Sequence, residues 1–134
     1  MGFHHPGNHD WNHISFFQIT APLEKKDGVL SGKNTVAIQP GKLDRCPTGT
    51  GCSARMALLY EQGGLSVGDH YIAESIIGSR FRCHIDSITR VGNKAAIYPV
   101  ISGQAWITGT YQHYLDPTDP WPQGYRLADT WPRL

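Results

Sequence analysis

One stretch of the sequence, residues 44–51 (Asp-Arg-Cys-Pro-Thr-Gly-Thr-Gly), brings together a carboxylate, a thiol, two hydroxyls and two glycines. Gly49 and Gly51 let the backbone come close to a ligand. If a helix begins here, its first turn presents unpaired N–H groups and the positive end of the helix dipole, which favour a carboxylate or a phosphate. An ordinary glycine-rich loop before a helix would share this pattern. The side chains that could add to an anion site are those of Asp44, Thr48 and Thr50.

The residues after this turn predict a helix over residues 50–62, which Gly63 and Gly64 end. Its sequence is apolar nearly all round, and such a helix is normally buried on most sides. We therefore expect the helix to lie in the interior of the domain, with its N-terminus opening into a cleft. Its apolar residues are Cys52, Ala54, Met56, Ala57, Leu58, Leu59 and Tyr60.

The rest of the chain predicts roughly six strands around this helix. Residues 22–32 are predicted to form a charged loop between two of them. The segment from Asp116 onward is rich in proline and tryptophan, so we expect it to pack against the rest of the domain. The predicted strands are residues 14–20, 34–38, 70–77, 80–89, 95–101 and 104–115, the last with a bend at Gly109.

The composition is that of one modest domain. With 134 residues and a formal net charge of +1, the chain lacks the basic excess of a nucleic-acid-binding protein. No apolar run approaches the ~18 residues of a membrane span, and the first residues have no apolar core of a signal peptide. Cys46, Cys52 and Cys83 form neither an even set nor a Cys-x-x-Cys pair, so we expect free thiols in the reducing cytoplasm.

The first 13 residues are rich in histidine and could offer imidazole ligands to zinc. Their spacing matches no closed zinc pattern, and no cysteine joins them. We therefore expect a surface segment that leads into a strand, and no metal site. The residues concerned are His4, His5, His9, Asp10 and His13.

Residues 44–51 resemble the Asp-Arg-Ser-Pro-Cys-Gly-Thr-Gly motif of the proline racemase family, which includes proline racemases, hydroxyproline 2-epimerases and trans-3-hydroxy-L-proline dehydratases. The resemblance covers nearly all of this chain but only the C-terminal half of a typical family member. It implies a diaminopimelate-epimerase-like α+β fold, in which an antiparallel sheet or barrel wraps around a central helix, with residues 1–134 as a single domain. Further blocks similar to the family are His5-Pro6 and residues 11–16, 74–81, 103–109 and 115–125.

The resemblance also implies a chemistry that needs no cofactor. Family racemases use two cysteines, one on each face of the substrate Cα, because a tuned thiol can serve as acid and base near neutral pH. Thr48 occupies the position of the second cysteine, as it does in the dehydratases. Thr48 would then assist loss of a ring hydroxyl, Gly49 and Thr50 would bind the substrate carboxylate, and Asp44 would pair with the ring ammonium. The implied product is Δ1-pyrroline-2-carboxylate.

Alternative interpretations stay open at this stage. The chain could belong to a hydroxyproline 2-epimerase or proline racemase, or it could be a non-catalytic fragment that needs a partner half. We expect a small-molecule substrate of the proline type, and docking to an N-terminal half or self-association. Cys46 precedes Thr48 by two residues, so its side chain should point elsewhere, while Cys52 and Cys83 should pack in the core. Asp44 could also simply brace the turn.

Overall fold

The computed structural model describes residues 3–38 and 41–125. The chain divides into two units, residues 1–104 and 105–134. The first contains every helix and strand of the described residues. They are β1 (Phe16–Lys26), β2 (Val29–Ile38), β3 (Lys42–Leu43), α1 (Gly49–Glu61), β4 (His70–Glu74), β5 (Arg80–Val91) and β6 (Lys94–Ser102).

The strands form one sheet in the order β1-β2-β4-β5-β6, with β3 attached to β2. All pairs are antiparallel except β2 and β4, which run parallel. A parallel pair requires a crossover connection, and here the crossover carries the 44–51 turn and α1. The predicted α+β half-fold with one helix is confirmed, but the sheet is mixed rather than antiparallel. It is open rather than closed into a barrel among the described strands.

The core lies between α1 and the centre of the sheet. Alternation along β5 turns Cys83 and Ile85 inward, which confirms the predicted buried face of that strand. One stripe of α1 at four-residue spacing, Thr50, Ala54 and Leu58, is nevertheless exposed, because the sheet covers only one side of the helix. The buried cluster consists of Cys52, Met56, Leu59, Leu65, Tyr71, Ala73, Cys83 and Ile85.

The predicted charged loop over residues 22–32 is wrong, because β1 and β2 continue into a hairpin. Asp27 and Gly28 form its turn with positive φ angles of 51° and 81°, as two-residue hairpin turns favour. The charges belong to an edge strand whose side chains face solvent. Pro22 lies where the β1–β2 register shifts, a position that needs no backbone N–H donor. Another difference is that β4 ends at Glu74, because a turn with positive φ at Gly78 follows it.

The second unit has no helix or strand in its described part, residues 105–125. The predicted strand over residues 104–115 is therefore wrong. These residues have strand-type composition, but composition alone makes no strand, because the backbone groups of a strand need a hydrogen-bonded neighbour. The side chains of residues 105–125 are exposed. The packing predicted for the segment from Asp116 stays a prediction, and Trp131 lies outside the described residues. No helix among the described residues is long and apolar enough to cross a membrane.

Candidate active site

A cavity of ≈ 400 Å³ opens at the N-terminal end of α1. It brings together three of the four predicted site residues, Asp44, Thr48 and Thr50. Gly49 lies between the two threonines, but its own atoms do not line the cavity. Aromatic and aliphatic side chains form the remaining wall, so the polar groups converge at one end of an apolar space, as in many ligand sites. The complete lining is Phe16, Phe17, Gln18, Val36, Ile38, Asp44, Thr48, Thr50, Gly51 and Ala54.

Thr48 has a strained backbone at the start of the helix. Its φ of 63° and ψ of 117° lie where a residue with a β-branched side chain is rarely found. Thr48 Oγ1 donates a hydrogen bond of 2.8 Å to Asp44 Oδ2 instead of capping the helix. Because no side chain caps α1 at this position, the N–H groups of its first turn remain available to an anionic ligand.

Two neighbouring residues of β2 hold the turn that carries these groups. Asn34, only 2% exposed, donates from Nδ2 to the carbonyl oxygen of Pro47 at 2.7 Å. Thr35 Oγ1 donates to the carbonyl oxygen of Asp44 at 3.1 Å, and the Asp44 N–H donates to the carbonyl oxygen of Val36 at 3.0 Å. Sequence reasoning missed Asn34 and Thr35. No local signal marked them, because their hydrogen-bond partners lie in the separate turn that carries Asp44 and Pro47.

The three cysteines lie outside the cavity lining. Cys46 is exposed, whereas Cys52 and Cys83 are buried, so the predicted packing of the last two is confirmed. Cys52 donates from Sγ to the carbonyl oxygen of Pro47 at 3.3 Å. The adjacent Cys83 thiol and burial both raise the pKa of Cys52 above its ordinary value. Cys52 therefore stays a protonated thiol and acts as a packing residue.

Arg55 is a third residue that the sequence did not single out. It lies on α1, facing the sheet, and is only 9% exposed. Its guanidinium donates to the carbonyl oxygens of Ala21 at 2.9 Å and Lys33 at 3.2 Å. Arg55 thus ties the helix to β1 and β2, the two strands that form the apolar wall of the cavity.

The histidine-rich segment lies apart from the cavity lining and is exposed. His4 and His9 stack with ring centroids 4.0 Å apart, and His5 stacks on Trp11 at 5.5 Å. No group of three or more histidine, cysteine, aspartate or glutamate side chains within residues 3–38 and 41–125 could hold a metal ion.

The sequence profile of the proline racemase family matches residues 1–126. A hydroxyproline epimerase from Agrobacterium vitis, solved with bound trans-4-OH-L-proline, is 32% identical with a TM-score of 0.70, over 98% of this chain and 37% of that one. A probable proline racemase from Agrobacterium radiobacter K84, solved with bound carbonate, is 34% identical with a TM-score of 0.69, over 97% of this chain and 37% of that one.

The chain therefore spans little more than a third of the length of these solved relatives. The match of the family profile over most of the sequence nevertheless decides the relationship. Two solved structures above 30% identity, which align with nearly all of this chain, support the same relationship. This chain belongs to the proline racemase family.

Proposed function

We propose that this chain supplies one wall of the active site of an enzyme that dehydrates trans-3-hydroxy-L-proline to Δ1-pyrroline-2-carboxylate. One observation carries the proposal. The N-cap residue of α1, Thr48, lines the cavity and is hydrogen-bonded to Asp44, and a threonine hydroxyl does not exchange protons near neutral pH as a thiol can. A partner half would bring the base that removes the Cα proton. In keeping with the free cysteines, we place the enzyme in the cytoplasm.

The first task of the site is to bind the substrate carboxylate. The N–H groups of Gly49 and Thr50 and the positive end of the α1 dipole would hold it. When the Cα proton leaves, negative charge spreads into this carboxylate. Fixed N–H donors stabilise this additional charge more strongly than they stabilise the ground-state carboxylate. Asp44 would pair with the ring ammonium, because its carboxylate lines the same cavity.

The second task is loss of the ring hydroxyl. The electron pair left at Cα forms a double bond to Cβ, the bond from Cβ to the hydroxyl oxygen breaks, and the oxygen leaves with a proton as water. The resulting enamine tautomerises to the cyclic imine. Thr48 would hydrogen-bond the departing hydroxyl or the water beside it. Because Thr48 cannot return a proton to the opposite face of Cα, elimination competes well with inversion.

A second candidate is a hydroxyproline 2-epimerase. It is favoured by one specific observation, since the two solved relatives are a hydroxyproline epimerase and a probable proline racemase. This reaction would need a second acid–base group opposite the first. Neither Cys46 nor Cys52 lines the cavity, so this chain would have to supply that group in another way.

A product assay separates these functions. The chain would be combined with the N-terminal half of a family member and incubated in heavy water with trans-3-hydroxy-L-proline and, separately, with trans-4-hydroxy-L-proline. We expect the imine from the first compound and no inverted product from the second. Inversion of trans-4-hydroxy-L-proline without imine would establish the epimerase. If neither compound changes, the chain is a non-catalytic member of the family.

A further inference from the structure

Gln18 of β1 lines the cavity, and the functions described so far do not use it. Its amide nitrogen Nε2 is buried and has no hydrogen-bond partner among the described residues. A buried donor without an acceptor destabilises the folded chain, so such groups are rare and call for an explanation. A methionine or leucine at this position would fill similar space without that cost.

The amide of Gln18 lies against the first turn of α1. A Cβ atom built on Gly51 would stand 2.6 Å from Gln18 Oε1 and 3.2 Å from Val36 Cγ2. The amide of Gln18 therefore fits beside α1 only because Gly51 has no side chain. This first turn also contains the N–H groups of Gly49 and Thr50, so the Gln18 amide adjoins the region where a substrate carboxylate would bind.

A purely structural role explains the other unpartnered amide but not this one. Asn34 also has an unpartnered buried atom, Oδ1, yet its Nδ2 holds the Pro47 carbonyl. Gln18 has no such bond from its donor. Its position on the cavity wall indicates that an acceptor for this donor comes from the ligand.

We propose that Gln18 is a substrate-binding residue whose amide nitrogen donates a hydrogen bond to the substrate carboxylate, next to the N–H groups of α1. The proposal rests on the proposed function, because it assumes a ring carboxylate in this cavity. The Gln18 Oε1 atom now lies nearest to Gly51. An arriving carboxylate would repel this oxygen and attract the amide nitrogen. Rotation about the last side-chain torsion, which is soft, would exchange the two atoms.

The test compares Gln18→Met with Gln62→Met, the same substitution at the exposed C-cap of α1. Affinities for L-proline and for L-prolinamide, which lacks the carboxylate, would be measured by calorimetry on the full chain. Because a hydrogen bond to a charged group is lost, Gln18→Met should weaken L-proline binding roughly 10- to 150-fold. Prolinamide binding should stay unchanged, and Gln62→Met should bind both ligands as the wild type does.

A measurement on the wild type alone covers the case in which Gln18→Met does not fold. The side-chain NH₂ resonances of Gln18 should shift on titration with L-proline and stay still with L-prolinamide. Unchanged L-proline affinity in a folded Gln18→Met variant would overturn the inference. So would side-chain NH₂ resonances of Gln18 that do not shift when L-proline is added. A carboxylate-specific effect without imine formation in the product assay would keep Gln18 as a binding residue and reject the dehydratase.

Discussion

Thr48 combines a costly backbone conformation with a side chain committed to Asp44. Strained residues of this kind persist only where the surrounding structure fixes them, and they occur often at functional sites. Here the fixing contacts reach both sides of Thr48. The Pro47 carbonyl is held by Asn34, and the Thr48 carbonyl accepts the N–H of Cys52 at 2.9 Å. The position of the hydroxyl is thus set by the fold rather than by the ligand.

Replacement of Thr48 by cysteine tests its chemical role. In the assembled enzyme, Thr48→Cys should place a thiol at the positive end of α1, where the dipole lowers a thiol pKa. The variant should gain Cα deuterium exchange with inversion on proline or 4-hydroxyproline, while dehydration falls. Heavy-water NMR and optical rotation would measure both. A folded, substrate-binding variant that shows no inversion would mean that Thr48 is not at the second acid–base position.

Asn34 fixes the turn through its hydrogen bond to the Pro47 carbonyl. Asn34→Leu should leave the buried Pro47 carbonyl with only the weak Cys52 thiol as donor and lower the free energy of unfolding by about 1–3 kcal/mol, measured by urea denaturation. Asn12→Leu, at an exposed position, is the matched control and should change stability by no more than ~0.5 kcal/mol. Equal stability of the two variants would show that the Asn34 bond contributes nothing to the turn.

Among the elements, α1 reaches β2 through the side chain of Arg55, which lies beside Gly32. A Cβ atom on Gly32 would lie 2.9 Å from both the Arg55 guanidinium and the Tyr71 hydroxyl. Tyr71 donates to the Gly32 carbonyl at 3.4 Å, and Arg55 bonds the carbonyl of Lys33 beside it. The side chains of Arg55 and Tyr71 therefore bond to β2 at a place where a residue larger than Gly32 would collide with them.

Two glycines, Gly32 and Gly49, should differ in how an added methyl group changes the stability of the chain. Gly32→Ala should force the Arg55 and Tyr71 side chains apart and destabilise the chain by about 1–3 kcal/mol. Gly49→Ala has open space for its methyl group and a helical position, so stability should stay equal or rise by up to ~1 kcal/mol. Thermal unfolding gives both values. A Gly32→Ala variant as stable as the wild type would show that these side chains yield easily.

The sequence predicted the elements that carry strong local signals and missed those that depend on distant partners. The glycine pair after Gln62 and the alternation in β5 are local, so the ends of α1 and the inward face of β5 could be predicted. The extension of β1 through charged residues depends on pairing with β2. Residues 104–115 form no strand despite their composition, because a strand also needs a hydrogen-bonded neighbour, which composition does not reveal. Asp44 and Thr48 were predicted from the motif, whereas Asn34, Arg55 and Gln18 become visible only through their buried contacts.

At the scale of the whole molecule, the apolar side of the cavity is open to solvent. Phe16 and Phe17, which line the cavity, are each more than half exposed. Contiguous apolar surface of this kind is typical of interaction sites. Since the solved relatives contain far more chain than this one, we expect this surface to receive the other half of the enzyme.

The isolated chain should consequently self-associate and have no measurable turnover on any proline derivative. Sedimentation velocity over a concentration series should show dimers or larger species, because exposed aromatic residues on β1 and around Trp121 favour contact between copies. Phe17→Ser should reduce association, and Thr20→Ser, an exposed polar exchange on the same strand, should leave it unchanged. A clean monomer at all concentrations, or robust activity of the homogeneous chain, would contradict this expectation.

The parallel pairing of β2 with β4 has a consequence for how the chain acquires its site during synthesis. Leu30 pairs with Tyr71, and everything between them, including the Thr48 turn, lies inside the loop that this pairing closes. Contacts between residues so distant in sequence form slowly, because closing a long loop costs chain entropy before any contact is gained. A nascent chain that has emerged only as far as α1 already contains Asp44 and Thr48. It can present them in a lasting arrangement only after residues 70–74 leave the ribosome and pair with β2.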